Sequence, residues 1–190
     1  MKEYRNSIRS KRLLKAALIE LLGQMDISKI TVKTICDKSD LSRNTFYHHY
    51  EDVYAILDEI QGDIEQRCVT YLDTIIIEHD LSLTKEFFIE AFEFVANNLE
   101  TIKVLLSNDT GGRFVERMKN VMIERAMKDN GSFNIADERG YRIFLEFLFS
   151  GAISLIQQYI YKKTNLTVDE IACESNRIFL AGYNVYARKN

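Results

Sequence analysis

Apolar residues recur at steps of three and four along most of this 190-residue chain, the spacing that lines one face of an α-helix. Leu14, Ala17, Leu18, Leu21, Leu22 and Met25 form the first stripe, with Arg9, Lys11, Arg12 and Lys15 on the opposite face. Residues 26–29 read as a loop. Thr31 suits an N-cap for a two-turn helix with Val32, Ile35 and Cys36 inward. Ser39-Asp40 reads as a turn, after which Leu41 points inward. Ser42 then caps a second short helix, residues 43–49, anchored by Phe46 and Tyr50. Asp52 caps a long helix reaching about residue 77, in which Val53, Ile56, Leu57 and Ile60 share a face.

Beyond a break at 80–83 the stripes continue. Phe87, Phe88, Ala91, Phe92 and Val95 predict a helix over 84–97, and a short one follows over 99–106. Phe114, Val115, Met118, Val121, Met122 and Ala126 define the next. Ile143, Phe144, Phe147, Leu148, Gly151, Ala152, Leu155, Ile156 and Ile160 define a long apolar one over 139–161. Thr167 and Glu170 stand at capping-box spacing before a last helix reaching about residue 187. Residues 107–112 and 129–134 read as loops. Proline is absent and glycine numbers 8; scarcity of both helix breakers makes the expected fold class all-α.

Hydrophobic residues are 46% of the chain, enough for a sizeable core in one large domain or in one small and one medium domain. No run approaches 18 uncharged apolar residues, so no membrane span is expected. The basic, then apolar N-terminus is broken by Glu20 and lacks a small-residue cleavage site. A cytoplasmic protein is the expectation. Cys36, Cys68 and Cys173 are too scattered for a metal site or a disulfide framework. Net charge is −3 but unevenly spread. Residues 1–50 hold ten Lys/Arg and five Asp/Glu, a balance of +5; the other 140 hold fifteen and twenty-three, or −8. A basic head on an acidic body points to a polyanionic partner for the head.

The head has the order longer helix, short helix, tight turn, short helix, long helix. Two short helices across a tight turn make the helix-turn-helix unit, whose second helix enters the DNA major groove. The residues suit that task. Arg43 can fork onto guanine, Asn44 can pair with adenine, and Thr45 can meet a thymine methyl. Tyr47 and His48, one turn on, can reach phosphates. Thr31 and Ser42 open the two helices, and Lys33 adds charge where free N–H groups face an anion. Adjacent His48 and His49 diverge by about 100° on a helix, so joint metal chelation is not expected. Nothing shows paired carboxylates, a nucleophile–base spacing or a phosphate-binding glycine loop, so neither catalysis nor a cofactor is expected. The expected domains are 1–52, binding DNA, and 53–190, a helical body.

The run ITVKTICDKSDLSRNTFYHHYED, residues 30–52, with the amphipathic helix before it, resembles the TetR-type transcriptional regulators. The resemblance implies an all-helical homodimer on a palindromic operator. By it, Thr31, Lys33, Arg43, Asn44, Thr45, Tyr47 and His48 fall on DNA-facing positions. Relatives often have glycine where this chain has Asp40 and Asn44, and a lysine shortly after Tyr50 where it has Glu51, Asp52 and Val53. The run FLEFLFSGAISLIQQYIYKKTNLTVDEIA, residues 144–172, is similar to the subgroup related to the dihydroxyacetone kinase operon activator. That likeness implies that the last two helices pair with their mates, with Phe147, Gly151, Ala152, Leu155, Ile171 and Ile178 at the dimer interface. Phe88, Phe92, Phe114, Met118, Met122, Phe144 and Phe147 would either line a pocket for a small apolar effector or form plain core. The expected activity is a repressor released by such an effector. An activator or adaptor controlled by a protein partner on the body is the alternative.

Overall fold

A computed structural model describes residues 2–78, 81, 83–107, 111–128 and 135–187, without the side chains of 2–5, 71, 75–78 and 107. These residues form nine α-helices and one 3-10 turn: α1 (Lys2–Leu22), the turn (Ile27–Lys29), α2 (Val32–Ser39), α3 (Arg43–His49), α4 (Val53–Glu78), α5 (Leu83–Asn97), α6 (Leu99–Ser107), α7 (Gly111–Met127), α8 (Glu138–Ile160) and α9 (Val168–Tyr186). The only β-type pairing among them is a single antiparallel bridge, Ile135 to Ala187, so the fold is all-α. Of the loops read at 80–83, 107–112 and 129–134, the last lies outside the described residues and the first two do so in part.

The chain divides into two compact units: 1–64 with 103–112, and 65–102 with 113–190. The first has α1, α2, α3 and the start of α4 around Leu14, Leu18, Ile35, Phe46 and Ile56, each with no exposed surface. The division expected at residue 52 falls short for a physical reason. Val53, Ile56, Leu57 and Ile60 are all 8% exposed or less, so the first turns of α4 complete the head core. The expected loop at 26–29 is a capped 3-10 turn. Asp26 accepts the Ser28 N–H, and Ile27 is buried. The glycines Gly111 and Gly112, read as loop, open α7 instead.

In the second unit, α5, α8 and α9 pack together around Phe87, Phe88, Phe92, Tyr141, Leu145, Leu148, Ile171 and Ala172. Phe144 of α8 lies between Phe179 and Tyr186 of α9, with ring centroids 6.3 and 5.9 Å away. The helices come this close because Gly182 has no side chain; a Cβ there would enter the Phe144 ring. Thr167 and Glu170 form the expected capping box. The Ala136 N–H donates to the Tyr186 carbonyl at 2.8 Å, fastening the approach to α8 onto the end of α9. One long face of α8 stays uncovered. Ile143 is 51% and Phe147 77% exposed, and Gly151 and Ser154 continue the line. By length and composition α8 could cross a membrane, and only 22% of its apolar window is buried within the chain, which the search for uncharged runs did not register.

Gly182→Ala is expected to lower unfolding stability by about 1–3 kcal/mol through overpacking. Gly151→Ala, whose Cβ would meet nothing within 4 Å, is expected to leave it unchanged or raise it by up to about 1 kcal/mol. Urea denaturation of both variants reads the difference.

Candidate nucleic-acid interface

Two short helices present the candidate residues, and local chemistry fixes both. At α2, Thr31 Oγ1 accepts the Thr34 N–H at 3.2 Å while Thr34 Oγ1 accepts the Thr31 N–H at 2.9 Å. This is a capping box in which threonine does the work usually given to Glu or Gln, a role sequence reading did not assign to Thr34. The Val32 and Lys33 N–H groups are left facing outward. α2 ends at Asp40 with φ 55 and ψ 40, a left-handed conformation that Asp tolerates better than most residues. At α3, Ser42 Oγ accepts the Thr45 N–H at 3.0 Å. Asp52 caps α4 by accepting the Ala55 N–H at 2.8 Å.

Arg43, Asn44, Tyr47 and His48 are all exposed on α3. Asn44, Thr45, Tyr47 and His48 line a shallow, largely polar concavity of about 360 Å3. Thr31, Lys33 and Ser42 are exposed as well. Thr45 is half-buried, and its hydroxyl lies 2.9 Å from that of Ser42, which leaves its methyl as the free contact. His48 and His49 meet edge to face at 5.0 Å. His49 is half-buried, and burial, then the charges of His48 and Lys11, hold its pKa below the usual value.

What seats α3 is an aromatic pair over an ionic cluster. Phe46 is fully buried and Tyr50 is 5% exposed, with centroids 6.2 Å apart. Lys11 Nζ stands 5.3 Å from the Tyr50 ring centroid and 2.9 Å from Glu59. Lys15 reaches Glu59 at 2.9 Å and Asp63 at 2.6 Å. The Tyr50 hydroxyl is buried without a hydrogen bond of acceptable geometry. Burial, and then the Glu59 charge, push its pKa up. Burial alone would raise Glu59, but hydrogen bonds and charge from Lys11 and Lys15 outweigh it and hold the carboxyl at about 2.

These pairs correct the expectation of a basic head. Lys11 and Lys15 are taken by α4, and Lys38 pairs with Glu20. The compact unit 1–64 with 103–112 carries eleven Lys/Arg and eleven Asp/Glu, so it is neutral. Among the described residues Arg9, Arg12, Lys29, Lys33 and Arg43 make no ion pair. Positive charge on this unit is therefore a matter of where those five sit.

The body residues divide differently from expectation. A cavity of about 40 Å3 lies among Leu72, Phe88, Tyr141, Leu145, Leu148 and Phe179, room for about one water and too little for an effector. Of the seven expected pocket residues only Phe88 lines it. Phe92, Phe114 and Met122 are buried core, Met118 is half-buried, and Phe144 is packed into α9. Phe147 lies on the outside, 77% exposed. Among the expected interface residues, Phe147, Gly151 and Ile178 are exposed, while Ala152 and Leu155 are half-buried against the core. Ile171, at 2%, belongs to the core of its own chain because it faces α5 and α8 rather than solvent. Sequence reading missed Val185, 73% exposed.

No family model matches the chain. A stretch of 53 residues, 28% of the chain, is 38% identical to an uncharacterised HTH-type transcriptional regulator of Bacillus subtilis (strain 168), and spans only 14% of that protein. Solved structures align over nearly the whole length. A TetR transcriptional regulator from Streptococcus agalactiae matches at TM-score 0.67 and 22% identity, covering 94% of this chain and 97% of that one. The fold is that of the TetR-type regulators. A dihydroxyacetone kinase operon activator has the same fold, at TM-score 0.68 and 10% identity over 94% of this chain and 98% of its own. So does a TetR family repressor from a Dietzia strain, implicated in biodegradation of n-alkanes, at 0.59 and 15% over 93% and 98%. The TetR-type fold thus accommodates both an activator and a repressor among these structures.

Glu59 has a folded pKa below its ordinary 4.5, so its contribution to stability is present above about pH 4.5 and is lost as pH falls toward about 2. Urea midpoints across that window are expected to fall less in Glu59→Gln than in the wild type, with a lower starting stability.

Proposed function

We propose that this chain is a sequence-specific, DNA-binding regulator of transcription of the TetR type, working as a homodimer on a palindromic site. The observation that carries the reading is α3. Its anchors Phe46 and Tyr50 are buried, while Arg43, Asn44, Tyr47 and His48 stand free on one exposed surface. In this reading Arg43 and Asn44 read base edges, the Thr45 methyl meets a thymine, and Tyr47, His48, Thr31 and Lys33 grip phosphates. Two such helices would sit about 34 Å apart, one turn of duplex. Selection of bound duplexes from random sequence, using the full chain, tests it. Arg43→Ala is expected to relax choice at one base position at a cost of about 1–3 kcal/mol, and Lys33→Ala to weaken all duplexes alike. Binding that does not fall with added salt, or no binding at all, would defeat the reading.

The uncovered apolar faces of α8 and α9 support the homodimer. Ile143, Phe147 and Gly151 on α8, with Ile178 and Val185 on α9, would meet their copies across a twofold axis. Phe147→Glu is expected to yield a monomer in sedimentation velocity and to weaken operator binding, while leaving the helical circular dichroism intact.

Repression relieved by an effector in the body is the mode we propose. The fold likeness to a dihydroxyacetone kinase operon activator favours one second reading, activation through a protein partner bound to the body. A reporter driven by the selected site separates the two by the sign of its response to deleting the gene.

A further inference from the structure

Within the second unit, α4 and α7 share a repeated contact. Arg117 Nε donates to Glu65 Oε1 at 2.5 Å, and Arg125 pairs with Asp73. Val69 and Val121 lie midway between these pairs on the two helices. The couples fall four residues apart on both, so these stretches run parallel, with an apolar step between two ionic rungs. Long side chains bridge the helices here, and the space beside them is an open groove of about 660 Å3. That volume lies within the range usual for ligand sites, roughly 300–1,000 Å3.

The charges around this groove are unevenly compensated. Arg113 and Arg117 mark one end, Arg125 and Lys128 the other. Like charges three or four residues apart on a helix repel. Arg117 and Arg125 are matched by carboxylates of α4. Arg113 and Lys128 have no ion pair among the described residues. The two acids of the rim are held from outside it: Glu116 by Lys119 at 3.2 Å, and Glu124 by Arg142. Each end therefore sets one unmatched cation beside a paired arginine. The two unmatched cations stand about 22 Å apart along α7 at 1.5 Å per residue, with valines between.

We propose that this groove binds a small organic anion with an apolar segment, its carboxylate or phosphate held at a cationic end and its chain laid over Val69 and Val121. Charge-assisted contacts to arginine favour either head group, and the valine step gives the chain an apolar surface. A bound head group competes with Glu65 or Asp73 for the same arginine, so occupancy acts on α4 itself. The inference rests on the reading above only in giving the body an effector.

The test uses the full chain and four probes at matched ionic strength: decanoate, decyl phosphate, decanol and acetate. Decanoate, decyl phosphate or both are expected to raise the thermal unfolding midpoint saturably, and which of them acts separates the carboxylate source from the phosphate. Decanol and acetate are expected to leave the midpoint unchanged. The double variant Arg113→Gln/Lys128→Gln, which breaks no ion pair seen in the fold, is expected to weaken the response by about tenfold. An equal response in the double variant overturns the proposal. So does an equal response to decanol or acetate, or no response to any probe. Free of probe, the double variant is expected to bind DNA as the wild type does. Failure of both to bind DNA would count against the DNA reading while leaving the ligand titration readable.

Discussion

The burial of Phe46 in the head core, where α3 packs on α1 and α2, is the interaction on which the candidate interface depends. α3 has seven residues, too few to persist alone, because isolated helices shorter than about 12–15 residues are marginal in water. Tertiary packing must supply the difference. One fully buried Phe contributes about 1.5–3 kcal/mol, and Tyr50 extends the same contact past the end of the helix. Ser42 then fixes where the helix starts. Anchor and cap together leave two adjacent pairs of outward directions one turn apart, Arg43 with Asn44 and Tyr47 with His48, with little freedom to turn inward.

The ionic cluster beneath Tyr50 works on the same seat from the other side. Lys11 and Lys15 of α1 grip Glu59 and Asp63 of α4 across a partly exposed surface. Exposed pairs are individually weak, often under about 1 kcal/mol, but here they share partners and close over a buried aromatic ring. The cluster joins the helix that opens the chain to the helix that leaves the head. It also spends cations that would otherwise have faced outward.

Most of the architecture was legible from periodicity, because helices buried on one face must repeat their apolar residues at helical spacing. The caps at Thr31, Ser42, Asp52 and Thr167 were legible for a related reason, since a hydroxyl or carboxylate before such a stripe has few other uses. What periodicity could not say is which of two apolar faces lies inside. α8 is apolar nearly all round, so Phe147 read equally as pocket lining, core or dimer interface, and the same blindness put Ile171 at an interface. Charge was misread for a different reason. A count over residues 1–50 stops before the acids of α4, and those acids fold back onto α1. Thr34, whose side chain completes a cap normally completed by Glu, left no signal that a motif would catch.

The neutrality of the first unit has a kinetic consequence. Mobile ions damp fields beyond about 8–10 Å at ordinary salt, and a unit with no net charge has little field to project even inside that distance. On the DNA reading, capture from afar would gain little from steering. Discrimination would lie in how long the complex survives once Arg43 and Asn44 touch the groove floor. Such a reader would meet a wrong sequence with its phosphate contacts alone, those of Thr31, Lys33, Tyr47 and His48, and leave it sooner than a site that also engages Arg43 and Asn44.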